Sequence, residues 1–108
     1  MKNRLKVMAD YGCFPLWLPD EIDNIAPEDT RLGLTTDLVK RLTAWAAEFD
    51  AILQWDDPAS SDFPSPQAED EFAETGADIS RAVAKELGQD WAVTYFDLRS
   101  GREQVVPS

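Results

Sequence analysis

The chain has 108 residues, with 10 Lys or Arg against 21 Asp or Glu, no His, and a net charge of -11. Hydrophobic residues make up 44% and charged residues 29%, the composition of a globular protein whose length supports one core, so residues 1–108 read as a single domain. The anionic balance excludes a general nucleic-acid binder, which needs a Lys/Arg excess to neutralise phosphates. The lack of His excludes His-based metal sites and His-dependent nucleophiles, and the single Cys13 excludes an internal disulfide.

The basic start, Met1 to Lys6, is followed only by Val7, Met8 and Ala9 before Asp10. That is too short for an export signal or a membrane span, so the expected compartment is the cytoplasm, with a reduced thiol. Leu5 to Ala9 reads as a brief buried strand. Asp10 to Thr36 holds Gly12, Pro15, Pro19, Pro27 and Gly33, which forbid a long helix. Tyr11, Phe14, Leu16, Trp17 and Leu18 are too apolar for a solvated loop. Packed irregular chain is therefore expected there, with room for a short strand.

Thr36 reads as the cap of a first helix, with Asp37 complementing its positive end. Leu38, Leu42, Trp45, Phe49 and Ile52 recur at helical spacing and carry that helix to about Leu53. Gln54 to Pro66 reads as a loop. Ser65 then caps a second helix with Pro66 in its first position. Phe72, Gly76, Ile79, Val83 and Leu87 form its apolar stripe, Gly76 marks a close approach by the first helix or the sheet, and Gly88 stops the helix. Trp91 to Phe96 reads as a strand, Arg99 to Arg102 as a turn, and Gln104 to Val106 as the returning strand. The expected fold is a small two-layer α/β (α+β) domain in the order β-α-α-β-β. Two helices cover one face of a small mixed sheet, and the first strand runs parallel to the one after the helices.

Charge is unevenly placed. Between Arg41 and Arg81 there is no Lys or Arg, yet ten acids: Glu48, Asp50, Asp56, Asp57, Asp62, Glu69, Asp70, Glu71, Glu74 and Asp78. A second acidic stretch, Asp20 to Asp29, has only Arg31 to oppose it. One reading is a solvated face that keeps the protein soluble. The other is a surface for a positively charged partner, which such a field would steer. Asp56-Asp57-Pro58 lacks the further oxygen ligands of a cation loop and reads as a turn, so no metal is expected. Carboxylate pairs suited to hydrolysis arise by chance among so many acids, and no catalytic residue or cofactor is assigned. Cys13 has no neighbouring cation to form a thiolate and reads as a small buried apolar residue. Trp45 and Trp91 read as core, whereas Trp17 and Trp55 stand in loop-like segments where an aromatic can anchor a partner.

Met8-Ala9-Asp10-Tyr11-Gly12-Cys13 followed by Pro15-Leu16-Trp17 resembles the opening signature of small acidic bacterial immunity proteins of contact-dependent growth inhibition and related polymorphic toxin systems. The Trp45 helix, Trp55-Asp56-Asp57-Pro58, Glu69-Asp70-Glu71-Phe72 and Glu86-Leu87-Gly88 extend the resemblance over about Leu5 to Asp97. The resemblance implies a non-enzymatic protein that binds and blocks a cognate toxin C-terminal domain, with no cofactor. The acidic band adds that this domain is basic, as a nuclease is. The expected contact residues are Trp17, Trp55, Asp56, Asp57, Glu69, Asp70, Glu71 and Glu74. An acidic adaptor for another basic protein is the alternative reading, and a small carboxylate-based hydrolase a more distant one.

Overall fold

A computed structural model describes residues 3–52, 63 and 65–107. Its elements, in chain order, are β1 (Asn3–Val7), β2 (Leu16–Leu18), β3 (Asp23–Ile25), α1 (Thr36–Asp50), α2 (Pro66–Leu87), a 3₁₀ turn (Gly88–Asp90), β4 (Trp91–Asp97) and β5 (Arg102–Val106). The five strands form one sheet in the order β3-β2-β1-β4-β5. β1 and β4 are parallel, with Leu5 opposite Val93, and every other pairing is antiparallel. The two-layer mixed fold is as expected from the sequence. The segment from Asp10 to Thr36 adds two short strands to the expected order.

Those strands owe their pairing to side chains as much as to their ladders. Asn24 accepts from the Phe14 N–H (2.9 Å) and donates to the carbonyls of Phe14 (2.7 Å) and Leu16 (2.9 Å), so one amide ties β3 to the approach of β2. Three-residue strands make few ladder bonds, and these three extra bonds compensate. The Trp17 indole N–H donates to the Met8 carbonyl at 3.0 Å, which closes the β1–β2 connection. Gly12, at φ 71°, lets that connection turn back and aims its N–H at Asp50 Oδ1, 2.9 Å away. The opening signature is thus a structural corner, held against the end of α1.

The cap of α1 is Thr35, one residue earlier than expected: its hydroxyl accepts from the Leu38 N–H at 3.4 Å. What selects Thr35 over Thr36 is Glu86, near the end of α2. Its carboxylate accepts from both the N–H (2.9 Å) and the hydroxyl (2.8 Å) of Thr35. The bond also places negative charge at the positive end of α1. The helix ends at Asp50, earlier than the expected Leu53, which itself lies outside the described residues. For α2 the cap is Ser65, with Pro66 in the first turn and Gly88 at the C-cap at φ 74°, as the sequence predicts.

Alternation in the strands sorts side chains to two faces. Leu5, Val7, Leu16, Val93 and Tyr95 are buried toward the helices, where they join Leu38, Leu42, Trp45, Phe72, Ile79 and Val83 in one cluster. Trp45 lies at the centre, 2% exposed, stacked on Phe72 at 4.8 Å and tilted against Tyr95 at 6.2 Å. Gly76 makes that packing possible. A Cβ there would lie 2.4 Å from Trp45 Cζ2 and 2.5 Å from Tyr95 Oη, so both the first helix and the sheet approach α2 at this residue. The Trp45 indole N–H and the Tyr95 hydroxyl donate to the neighbouring carbonyls of Phe72 (3.0 Å) and Ala73 (2.8 Å), which leaves neither buried polar group unpaired. Tyr95 ionises well above the usual tyrosine range, because burial penalises the phenolate and Asp97 adds like charge.

Candidate functional site

The solvent side of α2 follows from its stripe. With Phe72, Gly76, Ile79 and Val83 turned inward, the helical period turns Asp70, Glu71, Glu74 and Asp78 outward, and all four are exposed. Asp70, Glu74 and Asp78 stand in one row at four-residue spacing. Like charges so placed repel by a few tenths of a kcal/mol per pair. Glu69 stands in the first turn, where the helix dipole favours negative charge.

Sequence separation conceals a counter-charge. The tight turn between β4 and β5 carries Arg99 back to α2, where its guanidinium lies 3.4 Å from both Asp70 and Glu74. Arg99 is itself held by Asp97, whose carboxylate accepts from the Arg99 backbone N–H (2.9 Å), Nε (3.1 Å) and Nη2 (2.8 Å). These bonds draw the Asp97 carboxyl below the usual carboxylate range despite its burial. The acidic row is therefore compensated at one end and oriented there by a fixed cation. Farther along, Asp78 pairs with Arg81. The second acidic stretch folds the same way around two cations, Arg4, which lies 3.0 Å from Asp20, and Arg31. Arg31 meets Asp29 at 2.9 Å, Glu21 at 3.3 Å and Asp23 at 3.8 Å, and it holds the Asp29 carboxyl down to about 2.

Beside the row, the ends of the two helices leave a groove of about 290 Å³. Glu48 from α1 and Glu71 from α2 line it with Ile52, Phe63, Phe72 and Thr75. It joins acids to an apolar floor, the combination that lets a cationic side chain lay its stem on hydrocarbon and its head on carboxylate. Glu48 was not among the residues expected to make contact. Its signal was its position off the apolar stripe of α1, inside the same cation-free interval.

Of the residues expected from sequence to make contact, Asp70, Glu71 and Glu74 share this surface. Glu69 is half-buried in the first turn of α2. Trp17 is half-buried and lies in the other layer: its neighbours in β2, Leu16 and Leu18, point to the helices, and Trp17 points away, paired with Lys6. Trp55, Asp56 and Asp57 lie outside the described residues. Cys13 is half-buried and lines a second groove, of about 400 Å³, between the opening corner and α1. Among the described residues, no helix is long and apolar enough to cross a membrane.

No curated protein matches the chain. Residues 3–98 match the profile of the Serratia CdiI immunity protein-like family, a span from β1 to just beyond β4 that takes in both helices. The chain belongs to the Serratia CdiI immunity protein-like family.

Proposed function

We propose that the protein is a cytoplasmic, non-enzymatic immunity protein that binds a cognate toxin domain and blocks it through the anionic side of α2. The partner is a basic protein of the nuclease type. The observation that carries this reading is the exposed row Asp70, Glu74 and Asp78 with Glu71 beside it, next to the groove that Glu48 shares. A nuclease must neutralise phosphates, so its cleft is lined with Lys and Arg. A rigid helix presenting carboxylates at fixed spacing fits such a cleft and excludes the nucleic acid from it. No cofactor is required, because occupancy alone stops the reaction.

Charge and anchoring divide the work. The field of a molecule at -11 steers a cationic partner and raises its association rate. Residence time depends on a few desolvated anchors. Trp55, Asp56 and Asp57 extend the acidic run on the N-terminal side of α2 in the chain, and Trp55 is the proposed anchor. Arg99 fixes where the Asp70 and Glu74 carboxylates stand, so the row meets the partner with little ordering cost.

The test is capture of the toxin domain encoded beside this gene, by the full chain and by a variant carrying Asp70→Asn, Glu71→Gln, Glu74→Gln and Asp78→Asn together. The association rate should fall about tenfold or more in the variant, and in the native protein it should fall as salt rises. Undiminished capture by the folded variant would overturn the reading. Failure of the captured domain to cleave nucleic acid would overturn the nuclease assignment alone.

A further inference from the structure

Two grooves flank the last turns of α1, and both are acidic. One is the groove that Glu48 shares with Glu71. The other, of about 400 Å³, lies where Ala47 and Asp50 of α1 meet Phe14 of the opening corner and Glu28. Ala47 and Glu48 are successive residues, so the grooves open on either side of one helix, about 10–12 Å across. Ala47 and Ala51 are small and exposed, which keeps the ridge between them low. The grooves beside the sheet hold cations next to their acids: Arg4 and Arg31 line one, and Lys6 lines another. The described residues of the corner groove include no Lys or Arg, and among the described residues Glu28 and Asp50 enter no ion pair.

The walls of the corner groove are fixed by hydrogen bonds that do not use up its charge. Asp50 Oδ1 accepts from the Gly12 N–H at 2.9 Å, and a carboxylate has capacity for further donors. Asn24 holds the Phe14 backbone from both sides, accepting from its N–H and donating to its carbonyl. The Phe14 side chain, on this pinned backbone, is nevertheless 48% exposed. An exposed ring, an apolar floor at Pro15 and Ala47, and two unpaired carboxylates share one concavity. That set suits a long cationic side chain, whose stem lies on hydrocarbon, whose head meets carboxylate, and which the face of an aromatic ring attracts.

We propose that the corner groove is a second pocket for the toxin domain, which straddles the end of α1 and places a Lys or Arg of one basic loop against Glu28 and Asp50. The inference rests on the reading of the α2 side as the toxin-binding surface and extends that surface across α1. Charge complementarity selects the occupant: a groove with unpaired acids, in a molecule at -11, favours a basic protein over a second copy of this chain. Geometry permits it. A specific interface covers about 800 Å² on each partner, so two grooves one helix diameter apart fit beneath a single partner. The fixed walls mean that little order has to be imposed on this side when the loop enters. Gly12 and Asn24 then have a role beyond the corner itself, since they hold open the pocket beside it.

Cys13, the one thiol in the chain, lines this groove and reports on it without any mutation. The experiment compares the rate at which N-ethylmaleimide alkylates Cys13 in the free full chain and in its complex with the toxin domain encoded beside the gene, read by mass spectrometry of the Cys13 peptide. The rate should fall about tenfold or more in the complex. In parallel, Ala47→Arg fills the groove with a cation of the protein's own, at an exposed helical position where Arg is a good helix former. It should weaken toxin binding about tenfold or more, with unchanged circular dichroism. Gln89→Arg makes the same change in net charge at the C-terminal end of α2 and should weaken binding no more than about twofold. A complex in which Cys13 reacts at its free rate overturns the proposal and leaves the α2 reading standing. So does an Ala47→Arg protein that binds as well as Gln89→Arg. A native chain that captures no toxin domain at all overturns both readings together.

Discussion

Adding one methyl group at Gly76 tests the packing that holds the two layers together. In an ordinary helix Gly76→Ala would stabilise by about 1 kcal/mol. Here the new Cβ would sit 2.4 Å and 2.9 Å from two atoms of the Trp45 ring and 2.5 Å from the Tyr95 hydroxyl, where carbon contacts settle at about 3.5–4.0 Å. Relief therefore needs a shift of about 1 Å. Neither ring is free to give it. Each is 2% exposed, and each donates a hydrogen bond to α2 itself, at Phe72 and Ala73. Overpacking costs about 1–3 kcal/mol, and loosening two buried hydrogen bonds adds about 1 kcal/mol each. Set against the gain in helix propensity, the net loss is about 2–4 kcal/mol, a fall of about 9–18 °C in Tm for a domain of this size. Chemical denaturation followed by tryptophan fluorescence and circular dichroism measures it. Tyr95→Phe removes the 2.5 Å contact, so Gly76→Ala should cost about 1 kcal/mol less in that background. A Gly76→Ala protein as stable as the native one would refute the close approach on which the argument rests.

Thr35→Ala and Glu86→Ala should each cost about 1 kcal/mol, and the double variant less than their sum, since cap and clamp share the same bonds; strict additivity in denaturant titrations would show that Glu86 does not select the cap. Asp97 and Asp29 have folded-state carboxyls held below their unfolded values near 4, Asp29 at about 2. Each contribution is full above the unfolded value near 4 and is lost as pH falls through the lowered folded value, about 2 for Asp29, so the acid limb of the stability curve should flatten in Asp97→Asn. Arg99→Met should cost about 1–3 kcal/mol at neutral pH by leaving the buried Asp97 without its partner. That loss should shrink once Asp97 is protonated, and a loss independent of pH would count against the pairing. Tyr95 should resist ionisation in the folded protein until the pH rises well above the usual tyrosine range, as phenolate absorbance will show.

Local chemistry made much of this molecule legible in one dimension. The stripe from Leu38 to Ile52, the Ser65-Pro66 start and the Gly88 stop each act within a few residues, so the helices, the strand from Trp91 and the close approach at Gly76 could be read directly. The outward row on α2 was legible for the same reason, because a helix whose buried side is known has a known exposed side. What the chain order could not reveal depends on residues far apart in it. Thr35 caps α1 because Glu86 reaches it from 51 positions away. The acids of α2 are partly compensated because the β4–β5 turn returns Arg99 across 29 and 25 positions to Asp70 and Glu74. Strands of three residues leave no periodic trace, so β2 and β3 emerged only with the cross-strand bonds of Asn24, and with them the separation of Trp17 from the acids. Periodicity says which side of an element is apolar; only the assembled fold says which elements, and which charges, face each other across space.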